Sequence, residues 1–189
     1  MNYQTPSPLE DIVSEFDKSA PIPHEAIKRW METQNIEAMG ALMSLLANEK
    51  HSQRIDPPIV FEEYFPFAKR YYERSIRENP DGEWSDSRTT AGYDFAKWFL
   101  QLWKDWSFYE SEIKQLKTLL RKLYEEGDEE FRSNFVTSIL EHLFQESEVA
   151  DYFADWQNEP SLSPAYAEAK LLANLRHKRH ERHSLKSTD

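Results

Sequence analysis

The sequence predicts an all-α protein, a compact irregular bundle of about eight to nine helices, and three observations lead to this fold class. The first is the stretch from Tyr93 to Tyr109, where large apolar residues recur at spacings of three, one, three, one and three, as on one face of an α-helix. The members of this stripe are Phe95, Trp98, Phe99, Leu102, Trp103 and Trp106. The second is that the chain has only 4 glycines and few segments that alternate with period two, which argues against a β-rich fold. The third is the hydrophobic content of 39%, which is enough for a buried core in 189 residues.

The N-terminal part of the chain contains signals for several short helices. Ser7 is placed to cap a helix within Thr5–Asp17, with Pro8 at its first position and Glu10 completing a capping box. Pro23 then starts a second helix. Asn35 can cap a third, and the sequence leaves open whether residues 33–35 break the helix or lie within it.

An aromatic helix is predicted between Ile59 and Arg77, where Pro66 either starts the main helix or kinks a longer one. Residues 79–90 follow as the longest polar connection and include an Asp-Gly turn signal. Trp84 lies in this loop. It either folds back on the core, the simpler interpretation, or serves as an exposed anchor for a partner.

The apolar stripe predicts the central helix, and further helices follow it. One begins at Ser107 or Ser111 and ends at Glu126, where Gly127 stops it and Asp128 caps the next. Ser147 caps a short helix, and the Ser-Pro pair at residues 163–164 starts the last one.

Composition and charge narrow the class of function. The absence of cysteine excludes disulfides, thiolate catalysis and cysteine metal sites. The 23 basic and 34 acidic residues give a formal net charge of −11, which disfavours nucleic acid as a partner and suits a basic protein. The first residues lack the regions of a signal peptide, and no apolar run approaches the roughly 20 residues of a membrane span. We therefore expect a cytoplasmic protein with no membrane partner, one helical domain over residues 1–175, and a basic, flexible tail over residues 176–189.

No motif for catalysis or cofactor binding is present: there is no glycine-rich phosphate loop, nucleophile elbow or His-Glu-x-x-His sequence. His142 and Glu146 are four residues apart and could exchange a proton, but a helix-surface pair is the simpler interpretation. His177, His180 and His183 recur every three residues near the C-terminus, where a solvated tail is favoured over a metal site. We predict no catalytic residue, no cofactor and no metal, and we do not expect an enzyme.

The acidic residues are the remaining functional signal. One interpretation is that acids near helix starts stabilise the helix dipole while the others keep the surface hydrated. The other is an acidic face that docks a basic partner and speeds association by electrostatic steering. The predicted partner-binding residues are Trp84 and two groups of acids: Glu125, Glu126, Asp128, Glu129 and Glu130, then Glu146, Glu148, Asp151 and Asp155.

The stretch from Phe135 to Ala169 carries a resemblance to a known class of proteins. The residues concerned are Glu141-His142-Leu143-Phe144, Tyr152-Phe153-Ala154-Asp155-Trp156, Pro160, Leu162 and Ala165-Tyr166. This run resembles a family of small, acidic, all-helical bacterial proteins that are often immunity proteins of secreted or contact-dependent toxin systems. The resemblance implies a protein that binds and neutralises a cognate toxin, and it assigns no functional residue.

Two alternatives to an immunity protein stay open at this point. One is a helical adaptor or regulatory module that binds an endogenous protein. The other is a helical enzyme or small-ligand binder, with the aromatic segments Phe61–Tyr72 and Phe95–Trp106 lining a pocket, although core filling explains these aromatics more simply.

Overall fold

The computed structural model describes the backbone of residues 7–186 and the side chains of residues 7–178. The prediction of an all-α fold is confirmed, because the described strands are limited to a parallel pair of two-residue segments, β1 (Ile22–Pro23) and β2 (Ile55–Asp56). The chain divides into two compact units, one ending at Arg88 and one beginning at Thr89. The predicted boundaries at residues 1–175 and 176–189 stay a prediction.

Most described residues of the first unit are helical, and the local sequence signals account for where the helices begin. The helices are α1 (Pro8–Ser14), α2 (His24–Met31), α3 (Ile36–Ala47), α4 (Glu49–Ser52) and α5 (Phe61–Glu78). The predicted capping box is present, since Glu10 and Ser7 exchange hydrogen bonds of 3.3 and 3.0 Å. Residues 33–35 break the helix, and Asn35 caps α3 by accepting a hydrogen bond of 3.0 Å from the amide of Ala38.

The core of the first unit is formed by large apolar side chains with less than 2% exposure, among them Ile12, Ile27, Met39, Leu42, Phe67 and Tyr71. A half-buried arginine, Arg54, ties the segment between α1 and α2 to this core. Arg54 pairs with the Glu15 carboxylate at 2.7 Å and donates to the carbonyl oxygen of Ala20 at 2.8 Å. A guanidinium can satisfy several acceptors at once, so one side chain orders this connection.

The polar segment of residues 79–87 is held against α3 by one carboxylate. Glu37 accepts hydrogen bonds from the amides of Trp84 and Ser85, at 3.0 and 3.1 Å, and from the Ser85 hydroxyl. We name this set of contacts the Glu37 latch. Gly40 permits the approach, because a Cβ at that position would lie 2.1 Å from the Trp84 carbonyl oxygen. The longest polar connection of the sequence is therefore tightly anchored.

The second unit consists of longer helices joined by short turns. Its helices are α6 (Arg88–Lys104), α7 (Trp106–Glu126), α8 (Glu129–Phe135), α9 (Glu141–Leu143), α10 (Ser147–Tyr152) and α11 (Ser163–Lys186). A π-helical turn over Val136–Leu140 joins α8 to α9, and a 3-10 helix over Ala154–Asn158 follows α10.

The prediction of one helix from Tyr93 to Tyr109 is wrong at its C-terminal end. The helix α6 ends at Lys104, because Asp105 leaves the helical conformation with φ −113° and ψ 41°, and Trp106 begins α7. The apolar spacing continues across the break because Trp103 and Trp106 still pack together, with ring centroids 4.7 Å apart. Periodicity alone therefore did not reveal the break.

The stripe on α6 forms part of the core of the second unit, as predicted. Phe95, Trp98, Phe99 and Leu102 are at most 9% exposed, whereas Trp103 and Trp106 are half-buried. Facing residues from α7 and the later helices complete this core, including Ile113, Leu116, Leu120, Phe135, Ile139, Phe153, Trp156 and Tyr166.

The last helix, α11, passes the predicted tail boundary after residue 175 without a break and continues to Lys186. The side chains after Lys178 and residues 187–189 lie outside the described residues, and so do the predictions that concern them. Within the described chain, no helix is both long enough and apolar enough to cross a membrane.

Candidate partner-binding surface

The first predicted group of acids lies at the junction of α7 and α8, and all of its members are exposed. They are Glu125 and Glu126 at the end of α7, Asp128 before α8, and Glu129 and Glu130 in the first turn of α8. Asp128 caps α8 by accepting a hydrogen bond of 2.8 Å from the amide of Phe131. Negative charge near the amino end of a helix is favourable, so part of this group stabilises α8.

Three acids of this group lie along a shallow, open groove with a volume of about 740 Å³. The described lining residues are Asp128, Glu129, Glu130, Ser133, Asn134 and Thr137. We name this the acidic groove. None of these lining residues is basic, so their three carboxylates are not neutralised within the groove itself.

Two of the polar side chains beside the carboxylates donate hydrogen bonds within the protein. The Thr137 hydroxyl donates to the carbonyl oxygens of Ser133 and Asn134, and the Asn134 side-chain nitrogen donates to the Thr89 hydroxyl at 2.7 Å. The three exposed carboxylates, by contrast, offer oxygen acceptors to a ligand. No group of His, Asp or Glu residues among those described is arranged to hold a metal ion. The acidic groove is therefore suited to guanidinium and ammonium groups, which offer several donors each.

The second predicted group of acids lies on α10 and the 3-10 helix that follows. Asp155 pairs with Lys117 of α7 at 2.6 Å, so its charge is compensated locally. An exposed pair of this kind contributes at most about 1 kcal/mol to stability. Glu146, Glu148 and Asp151 are exposed, and none of them forms an ion pair with another residue in the described range. These three carboxylates remain available to a partner.

The two groups of acids are separated along α7. From Lys117 to Glu125 this helix advances by eight residues, which is roughly 12 Å at a rise of about 1.5 Å per residue. Asp155 contacts the middle of the helix at Lys117, whereas Ser161 contacts Glu125 at its end, at 3.2 Å. A partner that engaged both groups would have to cover the C-terminal half of α7.

A partly exposed aromatic cluster lies where α6 meets α7. We name it the aromatic corner, and it consists of Trp103, Trp106 and Tyr152. The ring centroid of Tyr152 is 5.2 Å from that of Trp103 and 5.1 Å from that of Trp106. Phe108, two residues after Trp106, is 82% exposed. Trp, Tyr and Phe side chains are enriched at protein–protein interfaces.

Trp84, the remaining predicted partner-binding residue, lies in the first unit. Its ring is half-buried and packs against Phe16, with ring centroids 5.1 Å apart, while its amide is held in the Glu37 latch. The side chain thus folds back onto its own unit and retains some exposed surface. A role in binding a partner stays a prediction.

The environment of His142 favours a neutral ring packed into the fold. It lies edge-on to Tyr93, with centroids 4.6 Å apart, and a nitrogen of Arg176 is 3.4 Å from its Nδ1 atom. Burial lowers the pKa of His142, and the nearby charge of Arg176 lowers it further. Within the described structure, its hydrogen-bonding contacts are with Gln145 and Arg176, so the geometry does not form the proton-transfer pair with Glu146.

The C-terminal histidines are only partly described. The Nε2 atom of His177 is 3.0 Å from the carbonyl oxygen of Gln145, which places this ring against the end of α9. The side chains of His180 and His183 lie outside the described residues, so the spacing of the three histidines stays a sequence observation.

Sequence reasoning identified the acids but not the groove or the aromatic corner. A signal for the groove was present, because residues 129, 133 and 137 follow one another at intervals of four, as neighbours on one helix face do. No spacing in the sequence indicated that Phe108 is exposed, because this residue lies within the stretch predicted as the central helix.

Comparisons of the chain with protein-family models, curated proteins and solved structures gave no match.

Proposed function

We propose that this chain is an immunity-type protein of the bacterial cytoplasm that binds a basic protein toxin and neutralises it. The observation that carries the proposal is the acidic groove, which joins three exposed carboxylates and contains no basic side chain among its described lining residues. The net charge of −11 supports the same conclusion, because it attracts a basic partner over distances longer than a contact.

The aromatic corner provides an apolar contact surface, which the exposed acids do not. Charged groups in solvent contribute mainly to the rate and selectivity of association, whereas affinity comes mostly from a few desolvated anchor residues. Phe108 and the half-buried tryptophans are anchors of that kind on the same unit as the acidic groove. Together the two surfaces combine steering with a site for tight contact.

Neutralisation of a toxin follows directly from such binding. Many enzymes that act on nucleic acids or phosphates carry a cationic active site, and an acidic protein can occupy that site in place of the substrate. The resemblance of residues 135–169 to immunity-type proteins supports this role, and the partner would then be the toxin encoded beside the gene. In this proposal the chain is not an enzyme and needs no cofactor.

Co-expression tests the proposal. Each neighbouring open reading frame is induced in a bacterial host with and without this chain, and survival and co-purification are measured. We expect one basic gene product to kill the host, to be tolerated when the chain is present, and to co-purify with it. If no neighbouring product is toxic, or if the toxic one is neither tolerated nor bound, the proposal is wrong.

Variants with neutralised acids test whether the acidic groove is responsible for protection against the toxin. The groove variant combines Asp128→Asn, Glu129→Gln and Glu130→Gln, and it keeps a good helix cap because Asn is as effective as Asp at that position. A control variant combines Glu25→Gln, Glu32→Gln and Glu62→Gln, three exposed acids of the first unit. Both variants change the net charge equally. If the groove itself binds the toxin, the groove variant loses protection and the control variant retains it.

A further inference from the structure

The first unit contains a pocket that the proposed function does not use. It has a volume of about 570 Å³ and lies between the end of α3, α4, β2 and the start of α5. Its described lining residues are Leu46, Ala47, Ser52, Gln53, Ile55, Pro58, Ile59, Val60, Phe61 and Tyr64. None of them is charged, although 30% of the residues in the chain are. Small-molecule sites are typically of this size and mostly apolar.

The wall of the pocket formed by residues 58–60 is held in place by contacts outside the pocket, including one to the preceding Pro57. His24 of α2 lies between two acceptors, with Nδ1 2.8 Å from the carbonyl oxygen of Pro57 and Nε2 3.2 Å from the carboxylate of Glu63. The carbonyl oxygen of Val60 accepts hydrogen bonds from the amides of Glu63 and Tyr64, each at 3.1 Å. These contacts fix the wall to α2 and α5, so the pocket is formed before a ligand arrives.

The polar groups of the pocket are few and uncharged. The Ser52 hydroxyl and the Gln53 side-chain nitrogen both donate to Glu49, at 3.3 and 2.9 Å, so the Ser52 oxygen and the Gln53 amide oxygen remain as acceptors, beside one N–H of Gln53. Burial raises the pKa of the Tyr64 hydroxyl, which therefore stays protonated at neutral pH. A charged ligand would find no counter-ion among the described lining residues, whereas a hydroxyl group on an apolar body would find acceptors at one end.

The exposed apolar surface around the pocket is small. Val60, at 53% exposure, is the one large hydrophobic residue exposed in the described part of the first unit. A stable protein interface needs about 800 Å² from each partner, and a single exposed valine offers no such area. From this geometry we propose that the pocket binds an uncharged, mostly apolar small molecule with at most one hydroxyl group, such as a medium-chain or aromatic alcohol. This proposal is independent of the proposed function.

A neutral fluorescent probe, N-phenyl-1-naphthylamine, tests the proposal on the full chain. We expect saturable binding of one probe per chain and displacement by 1-decanol. Decanoate and decylammonium have the same carbon chain but a charge, and we expect them to displace the probe at least tenfold less effectively. Unsaturable or absent probe binding overturns the proposal, and so does displacement by either charged compound at the concentration at which decanol acts.

Two variants assign the binding to this pocket. Ala47→Trp fills it, and Val60→Glu places a carboxylate on its rim, so each is expected to weaken probe binding at least tenfold. The matched controls Leu171→Trp and Leu171→Glu change an exposed leucine of α11 and are expected to leave affinity within twofold. Urea unfolding confirms that each variant is folded. If both pocket variants fold and bind the probe as the wild type does, or if the controls lose binding equally, the assignment is wrong.

Nuclear magnetic resonance of the wild-type chain gives a readout that needs no variant. Addition of 1-decanol is expected to shift the methyl signals of Leu46, Ile55 and Ile59 and to leave those of Leu171 unchanged. Shifts confined to residues outside the pocket would overturn the proposal.

Discussion

Replacing Glu37 with glutamine is expected to destabilise the chain by about 2 kcal/mol at pH 7, because it weakens the Glu37 latch without changing its shape. The carboxylate accepts three hydrogen bonds, two from backbone amides and one from the Ser85 hydroxyl. A hydrogen bond to a charged acceptor stabilises a protein by about 1 kcal/mol more than a hydrogen bond to a neutral amide. Three such bonds would give about 3 kcal/mol, and because Glu37 is partly exposed we expect about 2 kcal/mol. For a chain of this length that corresponds to a decrease of about 4–8 °C in the unfolding midpoint.

The pH dependence of this effect follows from the pKa of Glu37. Partial burial raises the pKa, but hydrogen bonds from Ser85 and from backbone amides lower it by more, so it lies below the ordinary value of 4.5 in the folded chain. A depressed folded-state pKa means that the stabilisation is fully present above pH 4.5 and is lost as the pH falls through the folded value. The difference between wild type and Glu37→Gln is therefore expected to be constant from pH 7 to pH 5.5 and to shrink in more acidic solution.

Urea unfolding followed by tryptophan fluorescence and far-ultraviolet circular dichroism measures this difference at each pH. Glu32→Gln is the matched control, since Glu32 is exposed at the end of α2, and we expect it to change the free energy of unfolding by no more than about 0.5 kcal/mol. Equal stability of the two variants at pH 7, or a difference that persists unchanged at pH 3, would refute the assignment of Glu37 as the anchor of residues 79–87.

Three further outcomes are expected. Gly40→Ala should destabilise the chain by about 2 kcal/mol or more in the same urea assay, because the added methyl group meets the backbone of Trp84; a change below about 0.5 kcal/mol would show that the backbone yields easily. Phe108→Ser should leave the free energy of unfolding unchanged, since the ring is 82% exposed, yet weaken toxin binding measured by calorimetry; unchanged affinity would remove Phe108 from the interface. The pKa of His24 is raised mainly by its hydrogen bond to Pro57, and Glu63 raises it further, while burial and Lys28 lower it. The stability that protonated His24 gives the folded chain is therefore present below pH 6.5 and lost as the pH rises through the folded-state pKa. His24→Gln should remove this loss of stability from the dependence of the free energy of unfolding on pH, and an identical dependence in the variant would contradict the role of His24.

Local signals in the sequence predicted several elements that depend on neighbouring residues, although the predicted cap at Ser147 is wrong because this residue is the first of α10 and no side chain caps that helix. The capping box at Ser7, the cap at Asn35 and the stop at Gly127 are contacts between residues a few positions apart, so the sequence contains all the information they need. The apolar stripe was also correct about which face of α6 is buried, because burial of one helix face is what the spacing encodes.

Contacts between distant residues were not predictable in the same way. The Glu37 latch joins residues 48 positions apart and the pair of Lys117 and Asp155 joins residues 38 apart, and no local spacing indicates either. The break at Asp105 was missed for a related reason, since packing of Trp103 on Trp106 preserves the apolar periodicity across the turn. Predicting the acidic groove would have required the position of α8 in the fold as well as its sequence.

The claim that the acidic groove receives a basic protein is tested most directly by isothermal titration calorimetry of the chain with its purified toxin at 50 and 300 mM NaCl. We expect the groove variant, with Asp128→Asn, Glu129→Gln and Glu130→Gln, to bind at least about tenfold more weakly at 50 mM NaCl and to depend less on salt than the wild type. The control variant with three neutralised acids of the first unit should bind within about twofold of the wild type. Equal affinities for the groove variant and the wild type at both salt concentrations would contradict the account.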